Sequence, residues 1–266
     1  HWRKKCNFDS NLIINKIVVI MRFLYVYLFL FIISCKQKNE SINAQQIIDA
    51  TIQNSGASKV SSSKISFKFR DKSYEAFRKN GRFKLSRRLK NDTITIEDYI
   101  TNTSYQRSIN NTKLSVNDSL KRSYSNAINS VHYFSVLPFG LNDAAVQKRI
   151  LPSRKIAGKD YYKVEITFKK NGGGEDYNDV FIYWVGKKDF LIDFLAYSFH
   201  TNGGGKRFRA VGKQHFSKGI RFVDYINYKP TDNEVKLIDL DIAFTNNKLQ
   251  KVSDIHLEDI DVNLID

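Results

Sequence analysis

The stretch that most constrains this chain runs from Asn171 to Tyr228. Two runs rich in β-type residues, Tyr177 to Val185 and Phe190 to Phe199, are joined by Gly186-Lys187-Lys188-Asp189, a loop of the length that closes hairpins. Triple glycines at 172–174 and 203–205 punctuate both ends, and two further runs, Arg207 to Val211 and Gly219 to Tyr228, extend the region into an antiparallel meander. Its strands are apolar on both faces. Val180, Ile182 and Trp184 project one way, and Phe181, Tyr183 and Val185 the other. A sheet of this kind has to be covered twice, by helices, by a second sheet or by a ligand.

Upstream, a period of two begins at Ile65, where Ile65, Phe67 and Phe69 alternate with Ser66, Lys68 and Arg70. Runs follow at 73–79, 82–89, 93–100, 104–109 and 113–116, separated by Asn80-Gly81, Asn91-Asp92, Asn102 and Asn110-Asn111. Two segments have helical spacing instead. Ala44 to Asn54 places Ile47, Ile48, Thr51 and Ile52 on one face, and Gly56 follows as a stop. Ser119 to Ser135 carries a stripe of Leu120, Tyr124, Ala127, Ile128, Val131 and Phe134, ended by Pro138 and Gly140. Leu141-Asn142-Asp143 then offers a cap for a short helix through Arg149. Strand periodicity returns at Tyr161 to Phe168. Glu234 to Phe244 has helical character, and Leu249 to Val262 reads as one closing strand. The expected class is mainly β (α+β), with residues 44–266 as a single β-rich domain.

The N-terminal region predicts export. Met21-Arg22 gives a short basic start, Phe23 to Ile33 is uninterruptedly apolar, and Ser34-Cys35 closes the run. An apolar core of about 7–15 residues suits a secretory signal, whereas a span needs about 20. The small residue before a cysteine resembles the lipobox of bacterial lipoproteins, which implies acylation of Cys35. Residues 1–20 are then upstream of the reading frame or a non-native extension, 21–35 the signal peptide and 36–43 a polar tether. The competing arrangement, one membrane anchor over 17–33, would bury Arg22 at about 2.5–3.5 kcal/mol. Cys6 is the only other cysteine and would be lost with the leader, so no disulfide is expected.

The chain carries a net charge of +16. Its one dense basic cluster, Arg78, Lys79, Arg82, Lys84, Arg87, Arg88 and Lys90, lies on alternating strands and reads as a solvated sheet face. An exported protein does not meet nucleic acid, so membrane surfaces and small ligands are the expected partners.

Chemical motifs are sparse. The triple glycines lie between strands, whereas a phosphate cradle needs strand, glycine and helix in that order. Glu175, Asp176 and Asp179 lack calcium-loop spacing, and His132, His200, His215 and His256 lack the close spacing of zinc ligands. No G-x-S-x-G, H-E-x-x-H or C-x-x-C occurs, so no catalytic residue, metal or cofactor is assigned. The aromatic hairpin and the strand after it supply the candidate ligand-binding residues Tyr183, Trp184, Phe194, Tyr197, Phe222, Asp224 and Tyr225. Core packing is the more common explanation of such rings, and a hydrophobic pocket with polar Tyr and Trp tips is the other.

The stretches SVHYFSVLPFGLND, KDYYKVEITF, GGGEDYNDVFIYWVGKKDFLIDFLAYSF, GGGKRFR and GIRFVDYINY resemble an uncharacterised group of exported Gram-negative lipoproteins over about residues 43–260. Some sequences of that group carry a deoxyribose-phosphate aldolase label. That enzyme is a parallel (β/α) barrel, whereas the meanders here require antiparallel pairing. In layout the chain also resembles the LolA/LolB-like lipoprotein carriers. That resemblance implies a curved antiparallel half-barrel of about eleven strands, with helices covering its concave face. It further implies a lipid-anchored envelope protein, at the outer membrane or the periplasmic face, that binds a lipid or other apolar small molecule, which favours a carrier over an enzyme and leaves the enzyme reading open. The alternative is an envelope hydrolase using Asp224, Tyr225 and His200, which requires those groups to converge in one cleft.

Overall fold

In the computed structural model, residues 42–200 and 203–265 are described; the expected signal segment, Cys35 and most of the expected tether lie outside them. Asn43 caps the first helix, α1 (Ala44–Asn54), in a reciprocal box with Gln46, which satisfies two amide donors at its start. A 3-10 turn at Ala57–Ser62 follows. Gly56 is needed at the junction. Its φ is +66°, and a Cβ there would come within 1.8 Å of the Gly219 carbonyl oxygen.

Six strands then run as a meander: β1 (Ser63–Phe69), β2 (Lys72–Lys79), β3 (Arg82–Lys90), β4 (Thr95–Thr101), β5 (Tyr105–Ile109) and β6 (Thr112–Leu114). After α2 (Asp118–Ser135) come β7 (Val146–Ile156), β8 (Lys159–Phe168), β9 (Val180–Gly186), β10 (Ile192–Phe199), β11 (Gly205–Ser217) and β12 (Ile220–Pro230). A 3-10 turn at Leu237–Asp239 leads into α3 (Leu240–Thr245), and β13 (Leu249–Ile255) and β14 (Glu258–Leu264) close the chain. Adjacent pairs with positive φ, Asn80-Gly81, Asn110-Asn111, Ala157-Gly158 and Lys218-Gly219, turn four of the hairpins.

The mainly β, antiparallel class with few helices is the one the sequence implied, but among the described residues its strands number fourteen and divide between two sheets. One has the order β14-β1-β2-β3-β4-β5-β6, the other β13-β12-β11-β10-β9-β8-β7. Neither closes into a barrel. The expected single closing strand belongs to both sheets: β13 pairs with β12, and β14 pairs with β1. Between them, the Leu257 amide donates to Asp224 Oδ1 at 3.1 Å, which fixes the chain where it passes from one sheet to the other.

The expected second helix, from Asn142 to Arg149, is a turn followed by the start of β7. Pairing from Val146 with Phe168 to Ile150 with Val164 gives this segment a full ladder along β8, which one helical turn could not match. The helix expected over Glu234 to Phe244 is confined to the 3-10 turn and the short α3.

Both faces of the second sheet are covered, as its composition demands. On the inner face, Val164, Ile166, Phe181, Tyr183, Val185 and Leu195 pack under Ile47 and Ile48 of α1 and Leu137 and Leu141 beyond α2. On the outer face, Ile182, Trp184, Ala196 and Phe208 pack under Leu240 and Phe244 of α3. Helix α2 is capped by Asn117, which accepts the Leu120 amide. It lies across the first sheet, with Ile128 over Ala76, Leu85 and Ile100. Its last turn reaches the second sheet through Tyr133 and Phe134.

Candidate binding cavity

Where α2 bridges the two sheets, the fold encloses a cavity of about 1000 Å³. One wall is the last turns of α2 and the segment after it, including Phe134 and Phe139. The second is the inner face of β8 to β12, with Phe168, Phe181, Tyr197 and Tyr225. The third comes from the β2–β3 hairpin, and Gly172 to Gly174 lie along the edge before β9. Tyr197 and Phe181 are direct cross-strand partners with ring centroids 5.5 Å apart, and Phe134 of α2 packs 5.2 Å from Tyr197. The volume is that of a small-molecule site, and the lining is mostly aromatic and aliphatic.

Two arginines interrupt that lining. Arg209, on β11, is only 9% exposed. Its guanidinium lies 3.9 Å from the Phe134 ring centroid, 5.2 Å from that of Tyr197 and 5.7 Å from that of Tyr225. Nη2 donates to the Tyr197 hydroxyl at 3.0 Å, and Nε has no partner. Arg78 is 8% exposed and occupies the inward row of β2 after Tyr74 and Ala76. It lies 5.4 Å from the Phe139 ring centroid, and its Nη1 has no partner. Burial alone drives its pKa down to about 10, with no neighbouring anion to offset the effect. Among the described residues, no ion pair joins Arg78 or Arg209 to a carboxylate. Arg207 also lines the cavity, over the Phe199 ring at 5.0 Å, with Nη1 donating to the Lys206 carbonyl. Arg82, Asn126, Asn129, Asp143, Asp176 and Asp179, with three serines, complete the polar lining. Burial raises the pKa of Asp143 and of Asp179.

The surrounding hydroxyls are neutral at ordinary pH. Tyr133 and Tyr183 share a hydrogen bond at 3.1 Å, and burial pushes both above the usual phenol range. Burial likewise pushes Tyr225 up to about 12. Beside the cavity, His132 of α2 is enclosed by Phe67 and Tyr74, with Nε2 2.9 Å from the Ser86 carbonyl. Burial lowers its pKa to about 4, assisted by the positive charge of Arg78, so the ring is neutral and donates that bond.

The candidates from the sequence fall into different surroundings. Tyr197 and Tyr225 line the cavity, and Tyr183 sits in the inner core beneath it. Trp184 and Phe194 face the other side of the sheet and pack with Phe208 and Phe244. Phe222 is buried with Ile65, Phe67 and Val136, near the junction of the sheets. Asp224 faces away from Tyr225. It meets His256 Nδ1 at 3.1 Å, the Leu257 amide at 3.1 Å, and His215 Nε2 at 3.3 Å without hydrogen-bond alignment. Burial raises its pKa, but these three neighbours outweigh it, so the carboxyl titrates below its usual range. His200 is exposed and contacts Asp179 at 3.4 Å. Asp224, Tyr225 and His200 therefore form no common cleft. No described group of three or more His, Cys, Asp or Glu side chains is arranged to hold a metal ion. No described helix is long and apolar enough to cross a membrane.

Arg78 and Arg209 were absent from the sequence candidates. The basic cluster assigned to one solvated face in fact divides. Arg78 points into the core, and Arg87 reaches Asp98 at 2.6 Å beneath α2, while Lys84 and Arg88 remain outside. The alternation of Tyr74, Ala76 and Arg78 was the available signal, since it puts Arg78 on the apolar row.

No curated protein matches the chain. Among solved structures, a DUF1329 family protein from Desulfovibrio piger aligns over 83% of this chain and 91% of its own, with 10% identity and a TM-score of 0.40. A putative outer membrane lipoprotein-sorting protein domain from Vibrio parahaemolyticus aligns over 83% and 94%, with 10% identity and a TM-score of 0.34. The family model that matches residues 21–258 places the chain in DUF6503, a family of unknown function.

Proposed function

We propose that this protein binds an apolar, lipid-like molecule in the cavity beneath α2 and holds or carries it at the cell envelope, tethered through acylated Cys35. The supporting observation is the cavity itself: about 1000 Å³ lined by Phe134, Phe168, Phe181, Tyr197 and Val223, in a molecule whose other large apolar faces are sealed by helices. An alkyl chain gains about 0.8 kcal/mol per buried CH₂, so a chain of about ten methylenes has enough driving force to offset the cost of association.

Native mass spectrometry after gentle extraction should show protein carrying co-purified lipid. Val146→Trp, which fills the cavity from β7, should remove the adduct and weaken binding of an apolar fluorescent probe by at least about tenfold. Wild-type protein that neither carries lipid nor binds the probe would refute the proposal, as would a folded Val146→Trp variant that binds normally.

A further inference from the structure

The cavity contains more buried positive charge than the protein itself neutralises, and this deepens the proposal above, on which it rests. Burying a guanidinium costs several kcal/mol unless a counter-charge and hydrogen bonds replace its water. Elsewhere in the molecule that condition is met. Lys163 meets Asp241 at 3.1 Å, Arg87 and Arg107 meet Asp98 at 2.6 and 2.9 Å, and Arg221 approaches Asp193 at 3.8 Å while donating to the Ile192 carbonyl and the Gln214 side chain. Arg78 and Arg209 depart from this pattern. Both are more than nine-tenths buried, both line the cavity, and each keeps a guanidinium nitrogen without an acceptor. Aromatic faces at 3.9 and 5.4 Å stabilise the cations in part, but a ring face supplies no in-plane acceptor for a planar donor fork.

The geometry points to an acidic amphiphile as the ligand: an alkyl chain lying against Phe168, Phe181 and Val223, with one anionic head, carboxylate or phosphate, accepted by Arg209 and Arg78. Arginine suits both heads, because its fork presents parallel N–H donors to paired oxygens and stays charged even when desolvated. The cavity's own carboxylates, Asp143, Asp176 and Asp179, sharpen the choice. They disfavour a polyanion spread along the lining, and of the four arginines there only Arg78 and Arg209 are buried with an unpartnered nitrogen, which makes them the place for a single negative group.

The test measures purified protein by calorimetry against dodecanoate, dodecyl phosphate, dodecanol and inorganic phosphate, below the amphiphiles' aggregation concentrations. At least one acid should bind about 30-fold more tightly than the alcohol, as expected for charge-assisted hydrogen bonds. Preference for dodecanoate would identify a fatty-acid head, and preference for dodecyl phosphate a phospholipid-type head. Arg78→Met and Arg209→Met should bring the acids close to the alcohol's affinity while leaving the alcohol bound. Arg209→Lys should restore only part of the difference. Equal binding of acids and alcohol by the wild type would overturn the anionic head and leave the apolar cavity standing. Failure of all three amphiphiles would overturn both proposals. Inorganic phosphate binding as tightly as dodecyl phosphate would overturn the amphiphile, since the chain would then contribute nothing.

Discussion

The two faces of the second sheet are built from the same strands and both carry many aromatic residues, yet they treat charge differently. On the outer face, Lys163 is 4% exposed and Asp241 1%, and the pair is fully connected. Asp241 accepts from Lys163 at 3.1 Å, from Arg154 at 3.0 Å and from the Trp184 indole at 3.3 Å, while Lys163 also donates to the Ile238 carbonyl and lies over the Trp184 ring. This network fastens α3 to the sheet among the packed rings of Trp184, Phe194, Phe208 and Phe244. On the inner face, Arg209 has a tyrosine hydroxyl and three rings but no carboxylate, and the space beside it is open. The difference separates two uses of a buried charge. A cation whose counter-ion belongs to the chain holds an element in place, whereas one without a counter-ion is available to a ligand.

The largest effect expected from this contrast is on the outer face. Asp241→Ala leaves Lys163 buried without an anion and should cost about 3–5 kcal/mol in urea unfolding. Adding Lys163→Met should recover most of that loss. A penalty under about 1 kcal/mol would mean that the outer network is not what holds α3, and the comparison would fail there.

A somewhat smaller effect concerns His132, which burial between α2 and the first sheet keeps neutral. Its unfolded pKa is near 6.5 and its folded value about 4, so at pH 7 both states are neutral and the group contributes nothing to pH dependence. As the pH falls from about 6.5 towards 4, the unfolded chain takes up a proton that the folded chain refuses, and stability drops by roughly 3 kcal/mol at the lower limit. Unfolding at pH 7 and pH 4.5 should therefore differ more for wild type than for His132→Gln, because carboxylate effects are common to both. Equal pH responses would show that the ring titrates normally in the fold.

The smallest effect belongs to Arg209. Replacing it with methionine, which fills similar volume without charge, should change stability by less than about 1 kcal/mol or raise it slightly. A loss approaching that of Asp241→Ala would make Arg209 a structural cation and erase the distinction between the faces.

Much of the fold was legible in the sequence because its signals are local. The alternation of Ile65, Phe67 and Phe69, the turns at Asn80-Gly81 and Asn110-Asn111, and the stripe from Tyr124 to Phe134 each depend on residues a few positions apart. Ala157-Gly158 and Lys218-Gly219 were weaker signals, since alanine and lysine rarely take positive φ, and here hairpin pairing on either side imposes it. The segment from Val146 to Arg149 was misjudged because an Asn-Asp cap is a local hint, while the ladder with β8 that overrides it forms only between strands.

What the sequence determined by itself was the requirement for two covers. Phe181, Tyr183 and Val185 opposite Ile182 and Trp184 follow directly from a period of two, and no arrangement of this chain could leave either row in water. Which cover would be complete was decided only by tertiary structure. Lys163 finds Asp241 across 78 positions of chain, and Asp224 pins Leu257 across 33, so neither pairing has a local signature. The alternation in β2 puts Arg78 on an apolar row, but nothing local in the sequence tells that Arg78 and Arg209 would lack a counter-ion. Packing of α2 across both sheets removes them from water, and whether a buried charge has a partner depends on what the fold brings opposite it.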